Sequence, residues 1–213
     1  SHVPGFLEAG AEIAALYDVV PEKAAAMASQ AGGDPRICGS LAEILEMDIN
    51  AVAIATPNSL HCAQTVAALK HGLHVLCEKP MAGTLADATL MVSAARRAGR
   101  VLHINQSFHY IPIYVTIADL ISRGAIGEVI HLRCLRAGGE TPDRGWAPGS
   151  TWFVQKAYQG GIILDIGVHM ADLLRWYGGE VESVQAQVAT RTPGIDVPDN
   201  VSALFQFRNG ATG

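Results

Sequence analysis

The chain has 213 residues, of which 49% are hydrophobic and 16% charged, so it can bury a sizeable core in one large domain or two small ones. The net charge of -5 and the absence of basic runs argue against nucleic acid as a partner. No apolar stretch reaches the roughly 18 residues that cross a membrane, and the amino terminus does not resemble a signal peptide. Four widely spaced cysteines without a C-x-x-C pair indicate free thiols, so we expect a cytoplasmic protein without a structural metal.

The first half of the chain alternates short apolar runs with helical patterns, which is typical of a parallel sheet covered on both faces. Strands are predicted at residues 12–18, 36–38, 51–55, 73–77 and 100–104, and helices at 21–30, from Ser40, after 56–59 to His71, and at 84–99. We therefore expect residues 1–110 to form a doubly wound, Rossmann-type α/β domain.

The second half has longer strand patterns with fewer helices between them. Strands are predicted at 127–135, 181–191 and 201–207, and helices at 113–122 and 160–177. This pattern predicts that residues 111–213 form an α+β domain with a mixed, mostly antiparallel open sheet.

Both ends of this pattern are incomplete. Dinucleotide-binding folds carry a G-x-G-x-x-G turn about 20 residues before an acidic residue, and counting back from Asp18 leads to Ser1 or beyond it. Gly5 and Gly10 do not form that motif. Residues 207–210 resemble a hairpin turn without its returning strand. We therefore expect a piece of a longer protein, without the first Rossmann strand and with a truncated second sheet.

The first candidate binding residues follow predicted strands, at the edge where open parallel sheets bind ligands. Asp18 could accept hydrogen bonds from an adenosine ribose and would favour NAD over NADP, or it could simply precede a helix. The segment Thr56-Pro57-Asn58 could hold a ribose or phosphate, although helix capping alone would explain Asn58. His61 lies in the first helical turn, where a surface histidine is the alternative.

The segment Glu78-Lys79-Pro80 follows the next strand and places a lysine at the same edge. Pro80 restricts Lys79 to extended conformations, which limits where the ammonium can point. A Lys-Pro bond can also be cis. The alternative is a solvated lysine beside a turn proline.

A second informative stretch runs from Gly160 to His169. Asp165 and His169 are four residues apart, so they share one helix face, and Asp172 lies one turn further along. Glycines cost helix stability, which suggests that something approaches the backbone closely. Histidine is well suited to accept a proton near neutral pH. A solvated helix rim and a metal site formed by Asp165, His169 and Asp172 remain open as alternatives.

Taken together, Asp18, Thr56-Pro57-Asn58, Glu78-Lys79-Pro80 and the Gly-Gly-x-x-x-Asp-x-Gly-x-His stretch resemble the glucose-fructose oxidoreductase / inositol dehydrogenase / MocA (Gfo/Idh/MocA) family. The resemblance covers nearly the whole chain. It implies an NAD(P)-dependent oxidoreductase, with NAD favoured, that transfers hydride between nicotinamide and a secondary hydroxyl of a sugar, cyclitol or related polyol.

The resemblance also implies roles for individual residues. Lys79 and His169 would act in catalysis, and Asp165 would contact the substrate. The cofactor-binding residues would be Asp18, Thr56, Pro57, Asn58, His61, Glu78, Lys79 and Pro80. A homo-oligomer is expected for the full-length protein, and a non-catalytic NAD(P)-binding regulator is the alternative function.

Two departures and one open point accompany the resemblance. The glycine turn is missing, and His109 occupies a place where many members carry arginine. Trp146, Trp152 and Tyr158 could form a wall on which a sugar stacks, or they could simply pack in a loop.

Overall fold

A computed structural model describes residues 2–138, 141, 144–145 and 147–213. The chain divides into two compact units, each with its own core. The first comprises the chain up to residue 55 together with 62–77 and 89–103, and the second comprises 56–61, 78–88 and 104–213.

The amino-terminal half has the expected alternation of strands and helices. The strands are β1 (Ala15–Leu16), β2 (Arg36–Ile37), β3 (Ala51–Ile54), β4 (His74–Glu78) and β5 (Leu102–Asn105). The helices are α1 (Val3–Glu8), α2 (Pro21–Ala28), α3 (Leu41–Leu45), α4 (Asn58–Lys70) and α5 (Leu85–Ala98). Strands β1 and β2 pair in parallel, and β3-β4-β5 form a second, Rossmann-like sheet in which β3 and β4 are parallel. The α/β prediction is confirmed.

Local sequence signals explain where these helices begin. Pro21 is the first residue of α2, where a missing N–H costs nothing. The Ser40 hydroxyl accepts a hydrogen bond from Glu43 N at 3.3 Å at the start of α3. The Thr84 hydroxyl accepts one from Asp87 N at 3.1 Å before α5.

The core of the first unit is formed by the apolar strands and the helices that follow them. Many of its buried side chains lie in or next to β3, α4, β4 and α5: Ile54, Ala68, Leu69, Leu73, Val75, Cys77, Met91, Ala94 and Ala95. The apolar run of β3 is covered on one face only, because Ile54 is buried and Val52 is partly buried, whereas Ala51 and Ala53 are exposed.

The carboxyl-terminal half contains α6 (Pro112–Ser122), a π-helical turn at Ile163–Gly167, α7 (Val168–Gly178), β6 (Val181–Ala189) and β7 (Asn200–Phe207). Short 3₁₀ turns lie at Ser107–Tyr110, Thr151–Val154 and Lys156–Tyr158. Strands β6 and β7 are antiparallel, with a register shift between Val181 and Ser183. Leu174, Phe207 and Ala211 form a buried cluster with Leu132, Val181 and Phe205 packed against it.

The predicted strand at 127–135 is wrong. This segment makes only one bridge, between His131 and Thr212, with Leu132 N donating to Thr212 O at 2.9 Å and Thr212 N donating to Ile130 O at 3.2 Å. A strand needs a partner along its length, and pairing here is limited to the neighbourhood of Thr212.

The predicted hairpin turn after β7 is present. Gly210 has a φ of +90°, a conformation that glycine adopts without strain. The chain then returns antiparallel, since Phe205 and Gly213 exchange backbone hydrogen bonds of 2.7 and 2.9 Å.

Two other differences concern the amino terminus. The strand predicted at 12–18 is reduced to Ala15–Leu16, because its neighbour β2 also offers only two paired residues. The helix α1 was not predicted, and it begins with Pro4 in its first turn.

Within the part of the chain that the structure describes, no helix is long and apolar enough to span a membrane.

Candidate active site

Lys79 and Asp165 form a partly buried ion pair in the second unit. The Lys79 ammonium donates to the Asp165 carboxylate Oδ1 at 2.5 Å and to the Asp165 backbone oxygen at 2.9 Å. The side chains are 20% and 4% exposed, respectively. The sequence placed both residues at the site without predicting that they touch. The Lys79–Pro80 peptide bond is cis, as the sequence allowed.

Glu78 holds the turn that carries Lys79. Its carboxylate accepts a hydrogen bond from Asn105 Nδ2 at 2.8 Å and one from Lys79 N at 3.2 Å. Asn105 is the last residue of β5, and Glu78 is the last of β4. Glu78 therefore ties together the ends of two neighbouring strands and fixes the starting point of the lysine side chain.

His169 lies in the first turn of α7 and is only 6% exposed. Its imidazole stacks on Phe108, with ring centroids 4.2 Å apart and planes at 12°. Its Nδ1 atom and the Asp165 Oδ2 atom are buried and have no hydrogen-bond partner in the described parts of the chain. Buried polar atoms are rarely left unpaired, so these two are available to a bound polar molecule.

The electrostatic surroundings favour a neutral His169. Burial lowers the pKa of His169 below its ordinary value of 6.5, and the nearby Lys79 ammonium lowers it further. The carboxylates of Asp165, Asp172 and Glu78 act in the opposite direction and raise that pKa. The result is an imidazole that can accept a proton near neutral pH and that responds to the charge of Lys79.

The glycines before His169 pack against the protein itself. A Cβ on Gly160 would lie 2.5 Å from Phe153 O and 2.6 Å from Trp152 O. Gly161 has a φ of +106°, and its Cβ would lie 3.1 Å from Val197. The sequence indicated that something lies close to the backbone here. At these two glycines, other segments of the chain lie close to it.

The helix around Asp165 also differs from the regular one predicted. Residues Ile163–Gly167 form a π-helical turn that leads directly into α7. Such turns occur frequently at functional sites. A Cβ on Gly167 would make only ordinary van der Waals contacts, of which the shortest is 3.7 Å to the Ile163 side chain.

Asn58 and His61 belong to the second unit and contact neighbouring loops there. Asn58 Nδ2 donates to Gln159 O at 2.8 Å. His61 is fully buried, and its ring nitrogens lie 2.8 Å from Pro80 O and 2.9 Å from Thr56 O. Both side chains thus hold the segment after β3 to neighbouring loops, a role that the sequence did not reveal because it requires long-range contacts.

Asp18 belongs to the first unit, where it follows β1. Its Oδ1 atom accepts a hydrogen bond from Val20 N at 2.8 Å, so it stabilises the turn before α2. The geometry is compatible with the alternative that the sequence left open, and its contact with a ribose stays a prediction.

Asp172, on the same helix as His169, forms a polar pair with His109 of the 3₁₀ turn Ser107–Tyr110. His109 Nε2 lies 2.7 Å from Asp172 Oδ2, and the His109 ring stacks on Trp176 with centroids 4.0 Å apart. The sequence singled out both His109 and Asp172 but gave no reason to pair them, since they are 63 residues apart.

The remaining aromatic candidates are only partly described. Trp146 lies outside the described residues. Trp152 stacks on Phe153 with centroids 3.7 Å apart, which supports the loop-packing alternative for this ring. Tyr158 is 41% exposed.

The metal alternative finds no support in the contacts of its proposed ligands. Asp165 binds Lys79, and Asp172 binds His109. Across the described ranges, no group of three or more histidine, cysteine, aspartate or glutamate side chains is arranged to hold a metal ion.

Two family models match consecutive parts of the chain. Residues 2–106 match the oxidoreductase family model with an NAD-binding Rossmann fold, and residues 114–213 match the GFO/IDH/MocA C-terminal domain. The chain belongs to the Gfo/Idh/MocA oxidoreductase family. The resemblance seen in the sequence motifs is therefore confirmed.

Three relatives illustrate what this Gfo/Idh/MocA chain is similar to. It is 35% identical to 1,5-anhydro-D-fructose reductase of Ensifer adhaerens, over 94% of this chain and 60% of that protein. It is 30% identical to levoglucosan dehydrogenase of Pseudarthrobacter phenanthrenivorans, over 93% and 56%. A solved structure of the WlbA dehydrogenase from Bordetella pertussis, in complex with NADH and UDP-GlcNAcA, is similar with a TM-score of 0.86 and 28% identity, over 100% and 61%. The chain thus spans about 60% of the length of these proteins.

Proposed function

We propose that this protein is an NAD(P)-dependent dehydrogenase that oxidises a secondary hydroxyl of a sugar, cyclitol or related polyol, or catalyses the reverse reduction. The observation that carries the proposal is the Lys79–Asp165 ion pair beside a buried His169 whose Nδ1 atom has no partner in the described chain. The named relatives that act on anhydro sugars support the substrate class.

In this proposal His169 removes the proton of the substrate hydroxyl. Its lowered pKa keeps the imidazole neutral near pH 7, which is the form a general base requires. The Lys79 ammonium stabilises the negative charge that develops on the same oxygen. Asp165 holds that ammonium in place with Oδ1, and its partnerless Oδ2 can accept a hydrogen bond from a neighbouring hydroxyl.

Each unit carries residues of the kind that bind a dinucleotide. In the first unit, Asp18 would bind the ribose hydroxyls and favour NAD over NADP. In the second unit, Thr56, Pro57, Glu78 and Pro80 line the turns that would hold the cofactor, supported from within by Asn58 and His61. This chain contains no G-x-G-x-x-G motif for the pyrophosphate. NAD, when bound, accepts the hydride from the carbinol carbon.

The test is formation of NADH or NADPH on a panel of aldoses, cyclitols and anhydro sugars. Since a positioned base contributes about 10²–10⁴-fold to the rate, His169→Asn should lower kcat by that factor. Lys79→Met should also lower kcat/KM. The matched control is His131→Asn, an exposed histidine that hydrogen-bonds only Thr212 among the residues described.

The other outcomes separate the alternatives. A rise in Tm on adding NAD without turnover of any polyol would favour the non-catalytic regulator. No Tm change and no turnover would contradict cofactor binding by this protein. Unchanged kcat/KM in Lys79→Met would remove the lysine from the mechanism.

The proposal extends to assembly and location. We infer that the protein forms homo-oligomers through the apolar face of the β6–β7 sheet. Four free cysteines, of which Cys38 and Cys77 are buried, suit a reducing cytoplasm.

A further inference from the structure

The 3₁₀ turn Ser107–Tyr110 places two consecutive rings on one face of α7. Phe108 stacks on His169, and His109 stacks on Trp176 seven residues later. Residues seven apart lie on the same side of a helix, and Asp172 lies between them on that side. The turn and the helix therefore form one continuous contact that links the candidate base to His109.

Within this contact, His109 and Asp172 form a close polar pair. Nε2 and Oδ2 are 2.7 Å apart, and the side chains are 37% and 31% exposed. A carboxylate can only accept a hydrogen bond, so Nε2 carries a proton. Stacking on Trp176 at 11° fixes the plane of the ring, so the hydrogen bond has a defined direction.

We propose that His109 is a positioning residue which, through Asp172, sets how readily His169 holds a proton. The inference rests on the proposed function only in assigning His169 as the base. The charge at position 109 depends on the residue type that stands there, because an arginine is always charged and an amide never is. A neutral His109 leaves the full negative charge on Asp172 to act on His169. A charged His109 cancels most of that charge.

The electrostatics of the site agree with this direction of coupling. The Asp172 carboxylate raises the pKa of His169, as do Asp165 and Glu78, whereas burial and the Lys79 ammonium lower it. The charge of Asp172 also reaches the next turn of its helix, where burial first and then several neighbouring groups including Asp172 raise the pKa of Tyr177.

The other groups around this contact are already paired. On α6, Asp119 pairs with Arg123, and the backbone oxygen of Tyr114 accepts a hydrogen bond from the Tyr177 hydroxyl at 3.0 Å. Near the end of α7, Arg175 pairs with Glu180. Among the residues described, His109 is therefore the direct partner through which the charge of Asp172 can be adjusted.

The experiment is an NMR titration of His169 in the intact protein, without NAD or polyol, with the signal assigned by His169→Asn. His109→Gln keeps a hydrogen-bond donor without a charge, whereas His109→Arg supplies a permanent positive charge beside Asp172. The pKa of His169 should therefore be higher in His109→Gln than in His109→Arg. We expect the two variants to differ by at least about half a pH unit.

Three further variants serve as controls. Asp172→Asn removes the carboxylate charge with little change in shape and should lower the pKa of His169, as His109→Arg does. His131→Gln and His131→Arg make the same charge changes at an exposed histidine outside this contact and should leave it unchanged.

The inference fails if His169 titrates at the same pH in His109→Gln and His109→Arg, or if the His131 pair produces an equal difference. Thermal melts identify any variant that unfolds. If a His109 variant unfolds, the pKa of His169 in Asp172→Asn decides whether the coupling exists. Because the titration needs no turnover, the proposed function can fail on the polyol panel while this coupling stands. If both hold, the acid limb of the kcat/KM profile should shift in the same order as the titration.

Discussion

At the scale of single residues, the site depends on a few contacts between partly or fully buried side chains. Lys79 is held by Asp165, and His169 is held by stacking on Phe108. Beneath them, His61 lies between the carbonyl oxygens of Pro80 and Thr56. These contacts position the reactive groups without themselves requiring a ligand.

His61 provides the sharpest stability prediction at this scale. His61→Leu should remove the imidazole N–H that donates to a carbonyl oxygen of Pro80 or Thr56, and leaving a buried polar group unsatisfied costs about 1–3 kcal/mol. We expect a clear loss of unfolding free energy in urea denaturation. The matched control is His71→Leu, directly after the end of α4, because the His71 side chain is exposed and its loss should have little effect. Equal losses for the two variants would contradict the role given to His61.

At the scale of elements, the turn at 160–167 shows how glycine and an irregular helix bring Asp165 to Lys79. Gly160 allows the chain to lie directly against the backbone of Trp152 and Phe153. The π-helical turn brings Asp165 into contact with the lysine. Helix α7 begins directly after this turn, and His169 is its second residue. The path of this segment is therefore determined by packing as well as by helix propensity.

Two alanine substitutions test this reading of the segment. Gly160→Ala would place a Cβ 2.5 Å from a backbone oxygen, so the backbone must shift, and overpacking of this kind costs about 1–3 kcal/mol. Gly167→Ala meets nothing closer than 3.7 Å and should be neutral or stabilising. Differential scanning calorimetry compares the two Tm values. A Gly160→Ala protein as stable as Gly167→Ala would overturn the packing argument.

Sequence reasoning succeeded where local patterns decide the structure. Apolar runs predicted β3 and β4, and the Ser40 and Thr84 caps predicted α3 and α5. It failed where distant partners decide. The segment at 127–135 has strand composition but pairs only near Thr212, and the burial of His61 depends on carbonyl groups in two loops. The residues Lys79, Asp165 and His169 were singled out from their positions in the sequence and their roles from the resemblance, whereas their mutual contacts required the fold.

At the scale of the whole molecule, the β6–β7 sheet has one apolar face. Directly paired residues share a face, which places Val184 with Phe205 and Val188 with Val201. Val184, Val188 and Val201 are 54%, 51% and 47% exposed. The opposite face carries Gln185 and Gln187 as well as Leu204. One end of this face is covered, because Phe205 packs against the buried cluster of Leu174, Phe207 and Ala211. The exposed valines toward its other end suit association with a second copy of the same chain.

Light scattering tests the proposed association. The protein should be at least a dimer at high concentration, and Val188→Lys should shift it toward the monomer by placing a charge on the apolar face. Gln187→Lys adds the same charge to the opposite face and should leave the oligomer intact. A monomeric parent protein, or equal effects of the two lysines, would contradict the proposed interface.

The central claim is that Lys79 and His169 act on one substrate from one site, and the most direct measurement is the pKa of His169 in Lys79→Gln. Glutamine can still donate a hydrogen bond to Asp165 but carries no charge. Because the ammonium lowers the pKa of His169 in the native protein, its removal should raise that pKa, which an NMR titration reports. A His169 signal that titrates at the same pH with and without the lysine charge would contradict the account.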